Sequence, residues 1–283
     1  MRACFFDIES IFSSDAKVWI VDKKNPKIPI MRISQSDFSL IKSGLYRSQG
    51  NSVFFGETAY WLPEDLMSSL KIKCKKMKAD VSKVSFSMRE YMDRDLIETL
   101  NFEVNKDLLS GLKNSQDHIY VICSKNAKSN YEKMISKIEG ILEDMGVSVK
   151  KYYFISETFY DSDQDDVARN KVRLLLQHLV GLKTDGDKFV DEELQSYDEI
   201  FYYDEDGGSS WLAENCNSLL SMLVGNTDSS IKDSIKSGIK ERNPSLVVRQ
   251  VSPNKVNRFS DKKVQLSLHN VIRTFEAFSW KKP

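Results

Sequence analysis

From His118 to Leu223 the chain alternates in a way that few folds accept. His118–Cys123 is an apolar run of strand length, and Tyr131, Met134, Ile135, Ile138, Ile141, Leu142 and Met145 then form a helical stripe closed by Gly146. Val147–Ile155 reads as a second strand, Val167–Val180 as a Leu-rich helix, Glu199–Tyr203 as a third strand and Trp211–Leu223 as a last helix. Apolar residues at a helical period between strand-length runs predict crossover helices, and strand–helix repeats close as a parallel sheet. The expected fold class is therefore α/β, a doubly wound parallel sheet.

The stretch Cys4–Phe5–Phe6–Asp7–Ile8–Glu9–Ser10 adds another buried strand that ends in two carboxylates. Residues i and i+2 of a strand share a face, so Asp7 and Glu9 are expected to point together at one metal or phosphate. Two further strands end in polar residues: Ser124 follows the first run, and Asp204–Glu205–Asp206 follow the third. In a parallel sheet all three ends open on the carboxyl edge, where ligands of such sheets bind. Clustered carboxylates repel unless a cation lies among them. Hard oxygen donors at these strand ends select Mg²⁺. Ser124 offers a hydroxyl at a helix N-terminus, suited to a phosphate oxygen. Lys171, early in its helix, would offset the negative charge. The blander alternatives stay open: an acidic strand end, a capping Ser124, and a solvated Lys171 with Lys125 and Lys128 as the phosphate partners.

Formal charge is zero over 283 residues, so the chain as a whole is no polyanion binder. The charge is uneven: residues 157–206 are acidic, whereas 232–263 carry nine lysines and arginines from Lys232 to Lys263. Cys4, Cys74, Cys123 and Cys216 lack CxxC spacing, which favours free thiols and a reducing compartment. No apolar run reaches transmembrane length and no secretory signal is apparent, so a cytoplasmic protein without membrane contact is expected. Strands and a hairpin within 13–114 do not continue the alternation and read as an inserted α+β lobe. Its Phe54–Phe55 and Tyr60–Trp61 pairs are expected in the lobe core, and its basic run Lys71–Lys78 as a solvated face. The domains are then 1–12 with 115–228 as core, 13–114 as insert, and 229–283 as a basic C-terminal extension. That extension, with Phe259, Phe275, Phe278 and Trp280, offers a contact for a partner protein or nucleic acid; a loosely packed extension is the blander reading and is favoured over nucleic acid. His118, His178 and His269 share no metal spacing, and His178 reads as structural.

The four motifs in order resemble the haloacid dehalogenase superfamily of phosphatases over residues 1–12 and roughly 116–224. They are Phe6–Asp7–Ile8–Glu9–Ser10, Val121–Ile122–Cys123–Ser124, Asn170–Lys171–Val172 and Phe201–Tyr202–Tyr203–Asp204–Glu205–Asp206, with Asn215 fitting the pattern downstream. The resemblance implies that Asp7 is a nucleophile giving an aspartyl-phosphate and that Glu9 is its general acid and base. It implies that Ser124 and Lys171 hold the phosphoryl group, and that Asp204 with Glu205 or Asp206 holds Mg²⁺ beside Asp7. The substrate is then a phosphorylated small molecule or a nucleic-acid end, and the insert stands where the family places its cap. Glu9 and Glu205 replace the family's usual aspartates. A second expectation, from another class, is a catalytically weak haloacid-dehalogenase-like module kept for binding, in keeping with a Lys-, Ser- and Asn-rich composition of bacteriophage type. A third rests on Asp7–Ile8–Glu9, which also resembles the first motif of DnaQ-like exonucleases, with Asp165–Asp166–Val167–Ala168 as a poorly spaced partner.

Overall fold

The structure is a computed structural model that describes residues 1–42, 44–47, 52–55, 58–87, 89–92, 100–112, 116–124, 128–155, 167–204, 209–251 and 260–267. In chain order its elements are β1 (Arg2–Asp7), α1 (Ile8–Ile11), β2 (Phe12–Ser14), β3 (Val18–Asp22), β4 (Asn25–Ile33), α2 (Gln35–Lys42), β5 (Ser52–Phe55), β6 (Thr58–Trp61) and α3 (Glu64–Met77). Next come β7 (Val84–Ser87), α4 (Arg89–Met92), β8 (Phe102–Val104), α5 (Lys106–Ser110), β9 (His118–Cys123), α6 (Lys128–Asp144), β10 (Val149–Phe154) and α7 (Val167–Val180). The last are β11 (Leu182–Asp185), β12 (Lys188–Glu193), β13 (Glu199–Asp204), α8 (Ser209–Asn226), α9 (Ser229–Arg242), β14 (Ser245–Gln250) and β15 (Ser260–Gln265). The chain divides into two compact units: Met1–Ser13, Glu103–Lys128 and Ser136–Pro283 form the first, and Ser14–Phe102 with Ser129–Ile135 the second.

The first unit is mixed α/β, built on a six-stranded sheet in the order β10-β9-β1-β13-β14-β15. All neighbours run parallel except β15, which closes the edge antiparallel to β14. From β1 the chain adds β9 and then β10 on one side before β13, β14 and β15 follow on the other. The order therefore reverses between β1 and β13, and that reversal is where open α/β sheets bind ligands. Side-chain alternation sorts the two faces. Ala3 and Phe5 of β1, Tyr120 and Ile122 of β9, Ile200 and Tyr202 of β13, and Leu246 and Val248 of β14 share one core with Leu174, Leu175 and Leu179 of α7. Each Leu, Ile, Val or Phe side chain among these, taken fully from water, contributes about 1.5–3 kcal/mol. The helix ends are closed locally. Gly181, at a φ of 90°, turns the chain out of α7 while its N–H donates to Gln177 O at 2.7 Å.

Two expectations change here. Residues 229–251 and 260–267 are not an appended extension, because α9 packs Ile235 and Ile239 into this core and β14 and β15 complete the sheet; the rest of 229–283 lies outside the described residues. The reason is visible in Ser245–Leu246–Val247–Val248, a fully buried run whose basic flanks drew attention away from it. The hydrophilic stretch 182–197 contains a hairpin. β11 and β12 pair antiparallel around Gly186, whose φ is 51°, and Phe189 and Tyr197 are fully buried. Residues 103–112, read with the insert, belong to the first unit.

The second unit carries an antiparallel sheet in the order β4-β3-β7 and the hairpin β5–β6. Val18 and Ile20 of β3, Ile30 and Ile33 of β4, and Met67, Leu70 and Cys74 of α3 form its core. Ser34, just before α2, accepts from Asp37 N at 3.0 Å and caps that helix. Tyr60 packs edge-on against Phe86, but Phe54, expected in this core, is exposed because it alternates with the buried Val53 on β5. All four cysteines are free and buried. Among the described residues no helix is long and apolar enough to cross a membrane.

Candidate functional site

Asp7 is the last residue of β1 and Asp204 the last of β13. Phe6 pairs with Tyr203, so one step further the two aspartates stand side by side on neighbouring strands, about 4.8 Å apart in backbone spacing. They border the reversal point of the sheet. Asp7 shares the parity of Ala3 and Phe5, and Asp204 that of Ile200 and Tyr202, so both carboxylates project on the face that α7 covers. Both are nearly inaccessible, at 1% and 3% exposure.

Lys171 reaches this pair from α7. Its Nζ forms an ion pair with Asp7 Oδ2, and both side chains are buried. Among the described residues Lys171 is the only Lys or Arg so buried. Loss of water pushes its pKa down. The charges of Asp7, Asp204 and Glu9 and the hydrogen bond to Asp7 outweigh that and leave it above the ordinary lysine value. Three carboxylates thus act on one ammonium.

Ser124 follows β9 directly. Asp7 pairs with Ile122, so the serine lies two residues beyond Asp7 at the same edge. It is nine-tenths buried, and its hydroxyl has no hydrogen-bond partner among the described residues. The structure therefore brings Asp7, Ser124, Lys171 and Asp204 to one edge. Glu205, Asp206 and Lys125 lie outside the described residues, as do Asp165 and Asp166, and nothing is described of the Lys128 side chain. Asn215 sits half-buried on α8.

Glu9 is not where strand geometry puts it. The strand stops at Asp7, and Ile8–Ile11 form a single helical turn in which i and i+2 face different ways. Burial of Ile8, Ser10 and Ile11 drives that turn, and Ser10 Oγ donates to the Asp7 carbonyl at 2.6 Å. The charge of Glu9 still acts on both Lys171 and Cys123, so its carboxylate stays close to the edge by a different route.

Two neighbours escaped sequence reasoning. Cys123 precedes Ser124; burial, then the charges of Glu9 and Asp7, push its thiol upward and keep it neutral. Asn170 precedes Lys171, is fully buried, and has an Nδ2 without a hydrogen-bond partner among the described residues. A polar residue inside the first turns of a Leu-rich helix was its only signal. His178 is structural, and His269 lies outside the described residues. His178 accepts from Tyr153 through Nε2 at 2.7 Å, donates from Nδ1 to Gln195 O at 2.9 Å, and is held neutral by burial, its pKa lowered to about 4.

Among the described residues no three His, Cys, Asp or Glu side chains gather as a ready metal cage. Comparison with protein-family models, with curated proteins and with solved structures gives no match to this chain.

Proposed function

We propose that the chain is a Mg²⁺-dependent phosphomonoester hydrolase of the haloacid dehalogenase type. The observation that carries this reading is the buried pairing of Lys171 with Asp7, beside Asp204, at the reversal point of a parallel sheet. In that pair Asp7 is a carboxylate, the form that attacks phosphorus, and a buried lysine is placed where phosphoryl charge would accumulate.

The donor set suits a hard divalent cation. Asp7 and Asp204 offer carboxylate oxygens, and with Glu9 they put three negative charges against one positive charge. Mg²⁺ would be held by Asp7 and Asp204, with Glu205 or Asp206, and when bound would neutralise charge on the substrate phosphate. The chain's own groups do the rest. An Asp7 oxygen forms a bond to phosphorus as the bond to the leaving oxygen breaks, and the Glu9 carboxyl gives that oxygen its proton. Water then attacks the phosphorus of the aspartyl-phosphate, Glu9 takes the water's proton, and the bond to Asp7 breaks. Ser124 Oγ and Lys171 Nζ hold the phosphoryl oxygens. The substrate is a phosphorylated small molecule, a nucleotide or a nucleic-acid end.

A second reading, a binding module of the same fold with weak or no turnover, draws support from one observation. Glu9 lies in a helical turn, on a longer side chain than the aspartate it replaces. Hydrolysis of a generic aryl phosphate separates the two. Mg²⁺-dependent turnover that vanishes in Asp7→Asn supports the hydrolase. Absence of turnover on aryl phosphates, nucleotides and nucleic-acid ends alike leaves the module.

A further inference from the structure

The second unit gathers exposed lysines along α3 and the turns beside its C-terminal end. α3 buries Met67, Leu70 and Cys74 at helical spacing, which leaves Lys71, Lys73, Lys75 and Lys76 exposed on its other faces. Lys78 ends the helix in a left-handed conformation, with its N–H directed to Cys74 O and Lys75 O, and is exposed too. The lysines continue beyond the helix. Lys23 N donates to Lys83 O at 3.0 Å, which brings the β3–β4 turn with Lys23 and Lys24 against the short helical turn Val81–Lys83. Ala79 N donates to Cys74 O at 2.9 Å and leads the chain from α3 into that turn. Burial, then the charges of Asp22 and Asp80, raises the pKa of the Cys74 thiol, so all three segments gather around it.

The two acids do little to cancel the lysines. Asp22 Oδ1 accepts from Lys24 N at 2.8 Å, and Asp80 Oδ1 accepts from Ser82 N at 2.9 Å and Ser82 Oγ at 2.8 Å, so both are engaged as turn caps. Asp80 also meets Lys83 at 3.8 Å, a loose exposed pair. Among the described residues none of Lys23, Lys24, Lys71, Lys73, Lys75, Lys76 and Lys78 has an ion pair. In a chain of zero net charge this is local segregation. Ile72 and Met77 stand exposed among these lysines, at 58% and 45%.

We infer that this lysine end binds the phosphate backbone of nucleic acid. Lys71 to Lys78 spans about 10 Å at ~1.5 Å per helical residue, a length over which duplex DNA presents roughly six phosphate charges. Lysines meet such a lattice as point charges with little sequence preference, and the apolar side chains between them suit sugar edges. This surface lies in the second unit and stands whether or not Asp7 supports hydrolysis.

The test is fluorescence anisotropy of the full chain with labelled duplex and single-stranded oligonucleotides across a salt series. The quadruple variant Lys23→Gln/Lys24→Gln/Lys75→Gln/Lys76→Gln is compared with a control, Lys236→Gln/Lys240→Gln on α9. The wild type should bind with an affinity that falls steeply with salt. The quadruple variant should bind at least ~10-fold more weakly at 50 mM salt, with a log–log slope shallower by about 3.6, while the control keeps wild-type binding. Circular dichroism and Tm check that the variant is folded; exposed Lys→Gln changes leave both unchanged. The inference is overturned by no wild-type binding at low salt, equal loss in both variants, or a slope unchanged in the quadruple variant. Co-sedimentation with phosphatidylserine-containing vesicles under salt conditions where neither oligonucleotide binds also overturns it, in favour of a membrane surface.

Discussion

Lys171 and Asp7 are ion-paired in the interior although 164 residues of chain separate them. Removing one partner leaves a charge buried without its counterion, which costs about 3–5 kcal/mol, whereas removing both costs far less. Lys171→Met should therefore be strongly destabilised in urea, and Asp7→Asn/Lys171→Met should regain most of the loss. An additive double variant would show that the pair is not coupled. Because the lysine pKa is raised, this stability is fully present below the ordinary value of 10.5 and fades only as pH rises through the folded-state value.

Glu9→Gln tests the acid–base role. In a hydrolase the substitution should slow turnover by about 10²–10⁴-fold. Mg²⁺ affinity, read from Mg²⁺-dependent thermal stabilisation, should change little. Equal turnover in wild type and variant would remove Glu9 from the chemistry.

His178 makes the first unit acid-sensitive. Its folded pKa of about 4 lies below the ordinary 6.5, so stability is complete above 6.5 and is lost as pH falls from there toward 4. The loss amounts to roughly 3 kcal/mol at ~1.4 kcal/mol per unit. His178→Gln should keep contacts to Tyr153 and the Gln195 carbonyl while flattening this window. Urea midpoints measured from pH 7 to 4 decide it, and a variant with the wild-type slope would place the acid sensitivity elsewhere.

Glu90 does comparable work in the second unit. Its carboxylate accepts from Trp19 Nε1 and from Lys17 N, at 2.5 and 2.7 Å. Glu90→Ala strands the buried Trp19 donor, at about 1–3 kcal/mol, and frees the part-buried Lys17 N–H. Trp fluorescence should report a lower unfolding midpoint for the variant, and an unchanged midpoint would mean that water replaces the carboxylate.

Much of the first unit was legible because its signals are local. The stripe from Tyr131 to Met145 and the run 167–180 carry helical periodicity, and Phe5–Phe6–Asp7 carries an abrupt end to a buried strand. The convergence of Asp7, Ser124, Lys171 and Asp204 follows from strand parallelism, which sequence order implies. What was hidden depends on partners distant in the chain. Ser245–Val248 is a strand only because β13 accepts it, and Lys262 and Lys263 read as a basic tail until β15 pairs with β14. The Asp185–Gly186 turn is a hairpin signal, but its hydrophilic surroundings mask the strands on either side. The helical turn at Ile8–Ile11 is set by burial of Ile8 and Ile11, which no spacing rule predicts for a segment so short.

β1 sits at the centre of its sheet, yet its register with β13 joins Arg2 to Glu199. A ribosome adding roughly 5–20 residues per second delivers β13 about 10–40 s after β1. Throughout that interval Phe5 and Phe6, which end with no exposure at all, have one flank of their strand unpaired. The nascent chain therefore carries an adhesive strand until β13 has been made, within reach of identical strands on neighbouring ribosomes.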